Sequence, residues 1–66
     1  MEAKFKPGDI CYFVSGKKIL KCEIVSSFIE NDELFYQIRD LINYRYTFVD
    51  SHSIDTSEDR LRQKIK

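Results

Sequence analysis

The 66-residue sequence contains little histidine and cysteine, the usual ligands of structural zinc sites. It has one histidine, two cysteines and two glycines, and it has no tryptophan. A structural zinc site needs a full tetrahedral set of ligands, and no ligand pattern surrounds the single histidine, His52. We find no Gly-rich phosphate loop and no nucleophile elbow. We therefore expect no cofactor, no metal ion and no enzymatic activity.

The polar run Asp50–Asp55 is the one place where hydrolytic residue types gather, since it holds Ser51, His52 and Ser53. The members of a catalytic triad must meet in space with defined roles, and neighbours on a single turn do not satisfy that requirement. We interpret the run as turn-forming polar residues that precede a helix.

The sequence also lacks a long apolar run and an excess of charge of either sign. No apolar stretch is long enough to cross a bilayer, and residues 1–8 lack the apolar core of a signal peptide. We therefore expect a cytoplasmic protein without membrane contact, whose cysteines are reduced. The 11 basic and 11 acidic side chains cancel. This balance disfavours a strong nucleic-acid binder, because no overall field attracts the phosphates.

The apolar and aromatic side chains that are present suffice for one small core. Apolar residues make up 42% of the chain and aromatic residues 14%. A chain of this length forms a single domain, here residues 1–66, and buries only about 60% of its unfolded surface. The large rings of Phe and Tyr suit such a core. A partner subunit often adds stability to a domain this small.

The first hairpin determines the predicted core. Residues 1–6 form an N-terminal arm with Phe5 tucked in, and Pro7-Gly8-Asp9 forms a turn before a strand at Ile10–Val14. Gly16-Lys17 fits a type II′ turn, which prefers glycine at its first central position. In the resulting register one face is fully apolar, and we predict that it is the core. Its members are Cys11, Phe13, Leu20, Cys22 and Ile24.

The opposite face of this hairpin is half apolar, so we expect the C-terminal helix or a partner to cover it. It carries Ile10, Tyr12, Val14, Ile19, Lys21 and Glu23. A slip of one residue would exchange the two faces in the first strand and bury Ile10, Tyr12 and Val14 instead. The turn chemistry favours the first register.

Three further strands follow. The second strand should be long, from Ile19 to about Ile29, and bent, and a polar loop at Glu30–Glu33 follows it. The third strand is predicted at Leu34–Arg39, with Leu34, Tyr36 and Ile38 as its core face. The fourth is predicted at Tyr44–Val49, and a short fifth strand at His52–Ile54.

Residues 56–66 carry the signals of a short helix. Thr56 is the predicted N-cap, with Asp59 three residues later in the capping-box position. Leu61 and Ile65 lie four positions apart on one helical face, so both are expected to dock onto the sheet.

The charges of this helix also follow a pattern. Glu58 and Arg62 are spaced for an i,i+4 ion pair, worth about 0.3 kcal/mol. Basic residues gather toward the C-terminus, where they complement the helix dipole and favour solubility. They are Arg60, Arg62, Lys64 and Lys66.

The order of these elements resembles that of an SH3-like barrel. The resemblance rests on Pro7-Gly8-Asp9, the alternating first strand, the Gly16-Lys17 hairpin, the long second strand, two more strands and the capped terminal helix. More narrowly, the chain is similar to small uncharacterised barrels of bacteria and their phages, and at fold level to Tudor and KOW domains. The resemblance covers nearly the whole chain. It implies an all-β fold, a five-stranded SH3-like barrel with a short C-terminal α-helix, in which Cys11 and Phe13 are buried.

Two groups of residues are candidates for binding. Lys17, Lys18 and Lys21 cluster at the first hairpin with Tyr12 opposite Lys21, which is compatible with a patch for single-stranded nucleic acid. The alternative, which we favour, is a solvated turn whose lysines keep an edge soluble.

The second group is Tyr44, Tyr46 and Phe48 on one side of the fourth strand. These rings form either core or an exposed groove for a protein partner, and we favour core. The choice depends on Val49, because a buried Val49 without a bulge would turn the three rings outward. Exposed aromatic side chains are enriched at protein interfaces.

We therefore expect a non-catalytic interaction module that binds a protein partner or forms a homo-oligomer. The alternative is a nucleic-acid-binding accessory protein of the KOW or Tudor kind. The candidate binding residues are Tyr12, Lys17, Lys18, Lys21, Tyr44 and Tyr46.

Overall fold

The computed structural model describes residues 3–64, which form one five-stranded antiparallel sheet and a short helix. The strands are β1 Ile10–Ser15, β2 Lys18–Glu30, β3 Glu33–Asp40, β4 Tyr46–Asp50 and β5 Ile54–Asp55, and the helix is α1 Glu58–Lys64. Their order across the sheet is β4-β3-β2-β1-β5. The outer strands β4 and β5 do not pair with each other within this range, so the sheet is open. Among the same residues, no helix has the length and apolar character needed to cross a membrane.

The first hairpin has the predicted register. Cys11 lies opposite Cys22, and Phe13 lies opposite Leu20. Gly16 has a φ of 63°, a left-handed conformation that glycine adopts without steric penalty. Two residues therefore connect β1 and β2, as the turn chemistry predicts.

The connection between β2 and β3 is tighter than the predicted loop. Asn31 and Asp32 have φ values of 53° and 63°, the left-handed pair typical of a type I′ turn. The strands therefore extend to Glu30 and Glu33, which lie directly opposite each other. Farther along, the register shifts at Val25. Such a bulge bends its strand and increases the local twist, which agrees with the bend expected in the second strand.

One face of the sheet carries the core. Phe5, Leu20 and Val49 are partly buried and pack against it. The predicted alternation of the third strand is confirmed, since every second residue from Leu34 to Ile38 is buried. The buried members of the core are Cys11, Phe13, Cys22, Ile24, Leu34, Tyr36, Ile38 and Ile54.

The N-terminal arm lies against this core, as predicted for Phe5. The Phe5 and Tyr36 rings are tilted, with centroids 5.4 Å apart. The Lys4 backbone N–H donates to the Tyr36 hydroxyl at 2.9 Å. The turn at residues 7–9 ties the arm to β2, because the Gly8 N–H donates to the Ile24 carbonyl at 2.8 Å.

The predicted bounds of the last strands need correction. The fourth strand begins at Tyr46 rather than Tyr44, because Tyr44 has a left-handed φ of 56° and belongs to the preceding turn. The fifth strand is Ile54–Asp55 rather than His52–Ile54. His52 lies instead in the turn between the two strands.

The helix cap also needs correction. Ser57, not Thr56, caps the helix, since the Ser57 Oγ accepts the Arg60 N–H at 3.4 Å. Thr56 instead donates its hydroxyl to Asp55 at 3.4 Å.

Arg60 therefore takes the capping-box position predicted for Asp59, whereas the docking of Leu61 and the Glu58–Arg62 pair are confirmed. Leu61 is completely buried, and α1 lies beside β1, β2 and β5. The expected ion pair joins Arg62 and Glu58 at 3.2 Å. The predicted docking of Ile65 and the charge of Lys66 lie outside the described residues.

Candidate functional site

The face of the sheet opposite the core carries an exposed group of rings. Phe28 lies opposite Phe35, and their rings stack with centroids 5.5 Å apart. Phe48 meets Phe28 edge-on at 5.6 Å. Both geometries are favourable for aromatic pairs. Because Phe48 is still 63% exposed, these rings pack against one another without being covered.

Arg39 extends this group toward the β3–β4 turn. It lies opposite Tyr46 in the sheet, and its guanidinium is 5.6 Å from the centroid of the Tyr44 ring. The Arg39 Nη2 also contacts the Glu23 Oε1 at 2.6 Å, and this ion pair compensates the charge of the guanidinium. Tyr44 and Tyr46 are both exposed. We call the five rings of this surface the aromatic face. Its members are Phe28, Phe35, Tyr44, Tyr46 and Phe48.

The turn that presents Tyr44 is organised by Asp40, which is buried at the end of β3. The Asp40 Oδ1 accepts the Ile42 N–H at 2.7 Å, and its backbone carbonyl accepts the Tyr44 N–H at 2.8 Å. Side chains of this type often close turns in this way. The left-handed φ of Tyr44 is uncommon for a bulky residue. The turn therefore places the Tyr44 ring beside Arg39 at some cost in backbone energy.

The aromatic face ends at the open edge of β4. The Asp40 N–H donates to the Arg45 carbonyl at 2.8 Å, and the Ser51 N–H donates to the Leu34 carbonyl at 3.0 Å. In an antiparallel pair the backbone groups of successive residues point alternately toward and away from the partner strand. The N–H and C=O groups of Tyr46 and Phe48 therefore point away from β3, and no described strand pairs with that side.

Within residues 3–64, no strand covers this edge. Natural sheets shield such edges with lysine, proline, bulges or covering loops. Residues 46–49 contain neither a charge nor a proline, and charged residues appear only at the two ends, as Arg45 and Asp50.

The expectation that Tyr44, Tyr46 and Phe48 belong to the core is wrong. Val49 packs against the core, and the alternation of β4 turns Tyr46 and Phe48 to the opposite face. This is the exposed alternative, and it brings two of the candidate binding residues, Tyr44 and Tyr46, onto one surface.

The other four candidates lie on the first hairpin, outside the aromatic face. Lys17, Lys18 and Lys21 are exposed, and Tyr12 is half-buried opposite Lys21. They lie on β1, its turn and the start of β2, whereas Phe28 lies near the other end of β2 and the remaining rings lie on β3, β4 and the turn between them. Their role in nucleic-acid binding remains a prediction.

Sequence reasoning missed Phe28, Phe35 and Arg39 as members of the candidate surface. The signal was present at Asn31-Asp32, residue types that tolerate the left-handed conformation of a two-residue turn. Such a turn fixes the register, and the register places Phe28 opposite Phe35.

The two cysteines are buried in the core, opposite each other, and both are free thiols. Burial and, to a lesser degree, the charges of Asp9 and Asp55 raise the pKa of Cys11 to about 11. Burial, followed by the neighbouring Cys11, raises the pKa of Cys22 to about 12. Both thiols are therefore protonated near neutral pH, and a protonated thiol is a poor nucleophile and a poor metal ligand. Residues 3–64 contain no cluster of His, Cys, Asp or Glu suited to a metal ion.

Comparison with known proteins found no matching family model, no matching curated protein and no matching solved structure.

Proposed function

We propose that the chain is a non-catalytic interaction module that binds an extended segment of a protein partner along β4. One observation supports this function above all: Tyr46 and Phe48 present unpaired backbone groups and exposed rings at the same edge. Peptides that add a strand to a sheet edge gain affinity from main-chain hydrogen bonds and specificity from alternate side chains. The added strand would place every second side chain beside the aromatic face.

The chemistry of the edge indicates the kind of segment that fits. Residues 46–49 are uncharged, so apolar side chains are expected at alternate positions of the partner. Arg45 and Asp50 lie at the two ends of β4 and favour opposite charges at the two ends of the added strand. Arg39 is already paired with Glu23, so it contributes packing beside Tyr44 more than free charge.

We extend this proposal to the curvature of the sheet and to the location of the protein. An antiparallel series of strands with a bulge at Val25 can curl toward closure, which is compatible with an SH3-like barrel. We place the protein in the cytoplasm, where free thiols persist.

The first experiment selects random linear peptides from a displayed library against the full chain. We expect the selected peptides to carry apolar residues at alternate positions. Amide chemical-shift mapping with one such peptide should give its largest perturbations at Tyr46 and Phe48. Perturbations confined to β1 and β5 would contradict the assignment of the edge.

Two substitutions at Phe48 distinguish the contribution of its ring to peptide binding from that of its backbone N–H. Phe48→Thr keeps a residue that favours strands but removes the ring, and should weaken peptide binding about tenfold. Phe48→Pro also removes the outward N–H. It should weaken peptide binding about fivefold more than Phe48→Thr does, because one hydrogen bond to the peptide is lost. Ile10→Thr is the matched control, since it removes an exposed apolar side chain elsewhere and should leave affinity unchanged. Equal affinity of the wild type and Phe48→Pro would exclude strand addition at β4.

Two other outcomes identify a different partner. Dimerisation in sedimentation experiments, lost in Phe48→Pro, would mean that a second copy of the chain occupies the edge. Salt-sensitive binding of single-stranded oligonucleotides, lost when Lys17, Lys18 and Lys21 become Gln, would favour the nucleic-acid function instead.

A further inference from the structure

A groove of about 520 Å³ opens on the core side of the sheet, away from the aromatic face. It lies between the N-terminal arm, β3, β5 and α1. Its floor is apolar and consists of Phe5, Leu34, Tyr36 and Ile54. Sites for small organic molecules have volumes of about 300–1,000 Å³ and are mostly apolar with a few polar groups. The volume of this groove falls within that range, and its apolar residues form a small floor inside a largely polar rim.

The rim of the groove is basic, although the whole chain has no net charge. Lys4, Arg60 and Lys64 line it together with the exposed His52, and the one carboxylate among the lining residues is Asp55. Three permanent cations therefore face a single permanent anion. The acidic residues of the first helical turn, Glu58 and Asp59, are not among the lining residues.

Contacts within the rim hold two of these cations in place. The Lys64 Nζ donates to the His52 backbone carbonyl at 3.2 Å, and Arg60 lies 3.6 Å from the Asp55 carboxylate. Asp55 also accepts the Ser57 N–H at 3.1 Å, so part of its charge is already satisfied by the backbone. The Arg60 side chain remains 71% exposed, which leaves most of its donors available to a ligand.

We propose that this groove binds a small organic acid, with an apolar body over the floor and a carboxylate at the basic rim. The site is separate from β4 and does not depend on the proposed partner binding. Phe5, the half-buried member of the floor, offers apolar surface to an aryl or branched alkyl group, whereas Leu34, Tyr36 and Ile54 are already buried. The cations select an anion over a neutral molecule of the same shape.

The test compares two probes that differ only in charge, naphthaleneacetate and naphthaleneacetamide. Binding to the full chain is followed by amide chemical-shift mapping. We expect naphthaleneacetate to perturb the amides of Phe5, Tyr36 and Ile54 and to bind about fivefold more tightly than the amide. This factor corresponds to two exposed ionic contacts of modest strength.

The double variant Arg60→Gln, Lys64→Gln should keep only the preference of about twofold for the anion that Lys4 supplies. Arg62→Gln is the matched control on the same helix; because Arg62 does not line the groove, the preference for the anion should persist. If the double variant does not fold, Lys4→Gln alone should reduce the preference about twofold.

Equal binding of both probes by the wild type would overturn the proposal, as would perturbations confined to the aromatic face or no binding up to the solubility limit. Phe48→Thr should leave the affinity for naphthaleneacetate unchanged, so failure here and failure of strand addition at β4 are distinguishable.

Discussion

The two faces of β3 carry side chains of similar size in opposite surroundings. Tyr36 and Ile38 are 1% and 0% exposed, under the arm and against Ile24 of β2. Phe35, on the other face, is half-buried and stacks on the ring of Phe28, which is itself exposed. Burial in this sheet therefore depends on which elements cross a face and not on how apolar its residues are. Among the residues that the structure describes, Tyr46 and Phe48 stay exposed on that face at the open edge of β4.

The largest expected contrast between the faces is in stability. Ile38→Ala should lower the free energy of unfolding by about 3 kcal/mol, because it leaves a cavity in a fully buried site. That is a large share of a total on the order of 5 kcal/mol for a domain of this size. Phe48→Ala removes a larger side chain and should cost less than about 1 kcal/mol. Urea unfolding of both variants measures the contrast, and equal losses would mean that the aromatic face is covered in solution.

The buried thiols give a second contrast, which depends on pH. The pKa values of Cys11 and Cys22 are raised from 9.0 to about 11 and about 12 in the folded chain. The stability that they contribute is complete below pH 9.0 and is lost as the pH rises, because the unfolded thiols ionise first. We expect a loss of about 2 kcal/mol for each thiol between pH 9 and pH 11.

Unfolding in urea at a series of pH values tests this expectation. The matched control is the double variant Cys11→Ala, Cys22→Ala, which has a lower stability at every pH but a flatter slope above pH 9. The same slope in both proteins would show that the thiols do not cause the loss of stability.

The core face was predictable from sequence, whereas the aromatic face was not. Gly16-Lys17 fixed the first hairpin, because a glycine at the first turn position leaves one favoured register. Within residues 46–49 both sets of alternating residues are uncharged, so neither set identifies the buried face. The register of β4 depends on the turn from Asp40 to Tyr44, and the residue type of Tyr44 does not signal a left-handed conformation.

The smallest expected effect is at Tyr44 itself, where stability and binding should change in opposite directions. The left-handed φ of 56° costs a non-glycine residue about 1 kcal/mol or more. Tyr44→Gly relieves that strain but loses the contact with Arg39, worth about 0.5 kcal/mol at an exposed site. We expect a net gain in stability of about 0.5 kcal/mol by urea unfolding, and weaker binding of peptides selected for β4.

Tyr46→Gly is the matched control for this variant, because it removes an equally exposed ring from an extended position of β4. There glycine relieves no strain, so stability should fall by about 0.5–1 kcal/mol while peptide binding also weakens. A loss of stability in both variants would mean that the Tyr44 backbone is not strained. A gain at Tyr44 with unchanged peptide affinity would mean that the strained turn serves something other than the aromatic face. We predict a gain in stability for Tyr44→Gly, a loss for Tyr46→Gly and weaker peptide binding in both. This combination is expected only if the turn holds Tyr44 in place for a ligand of the aromatic face.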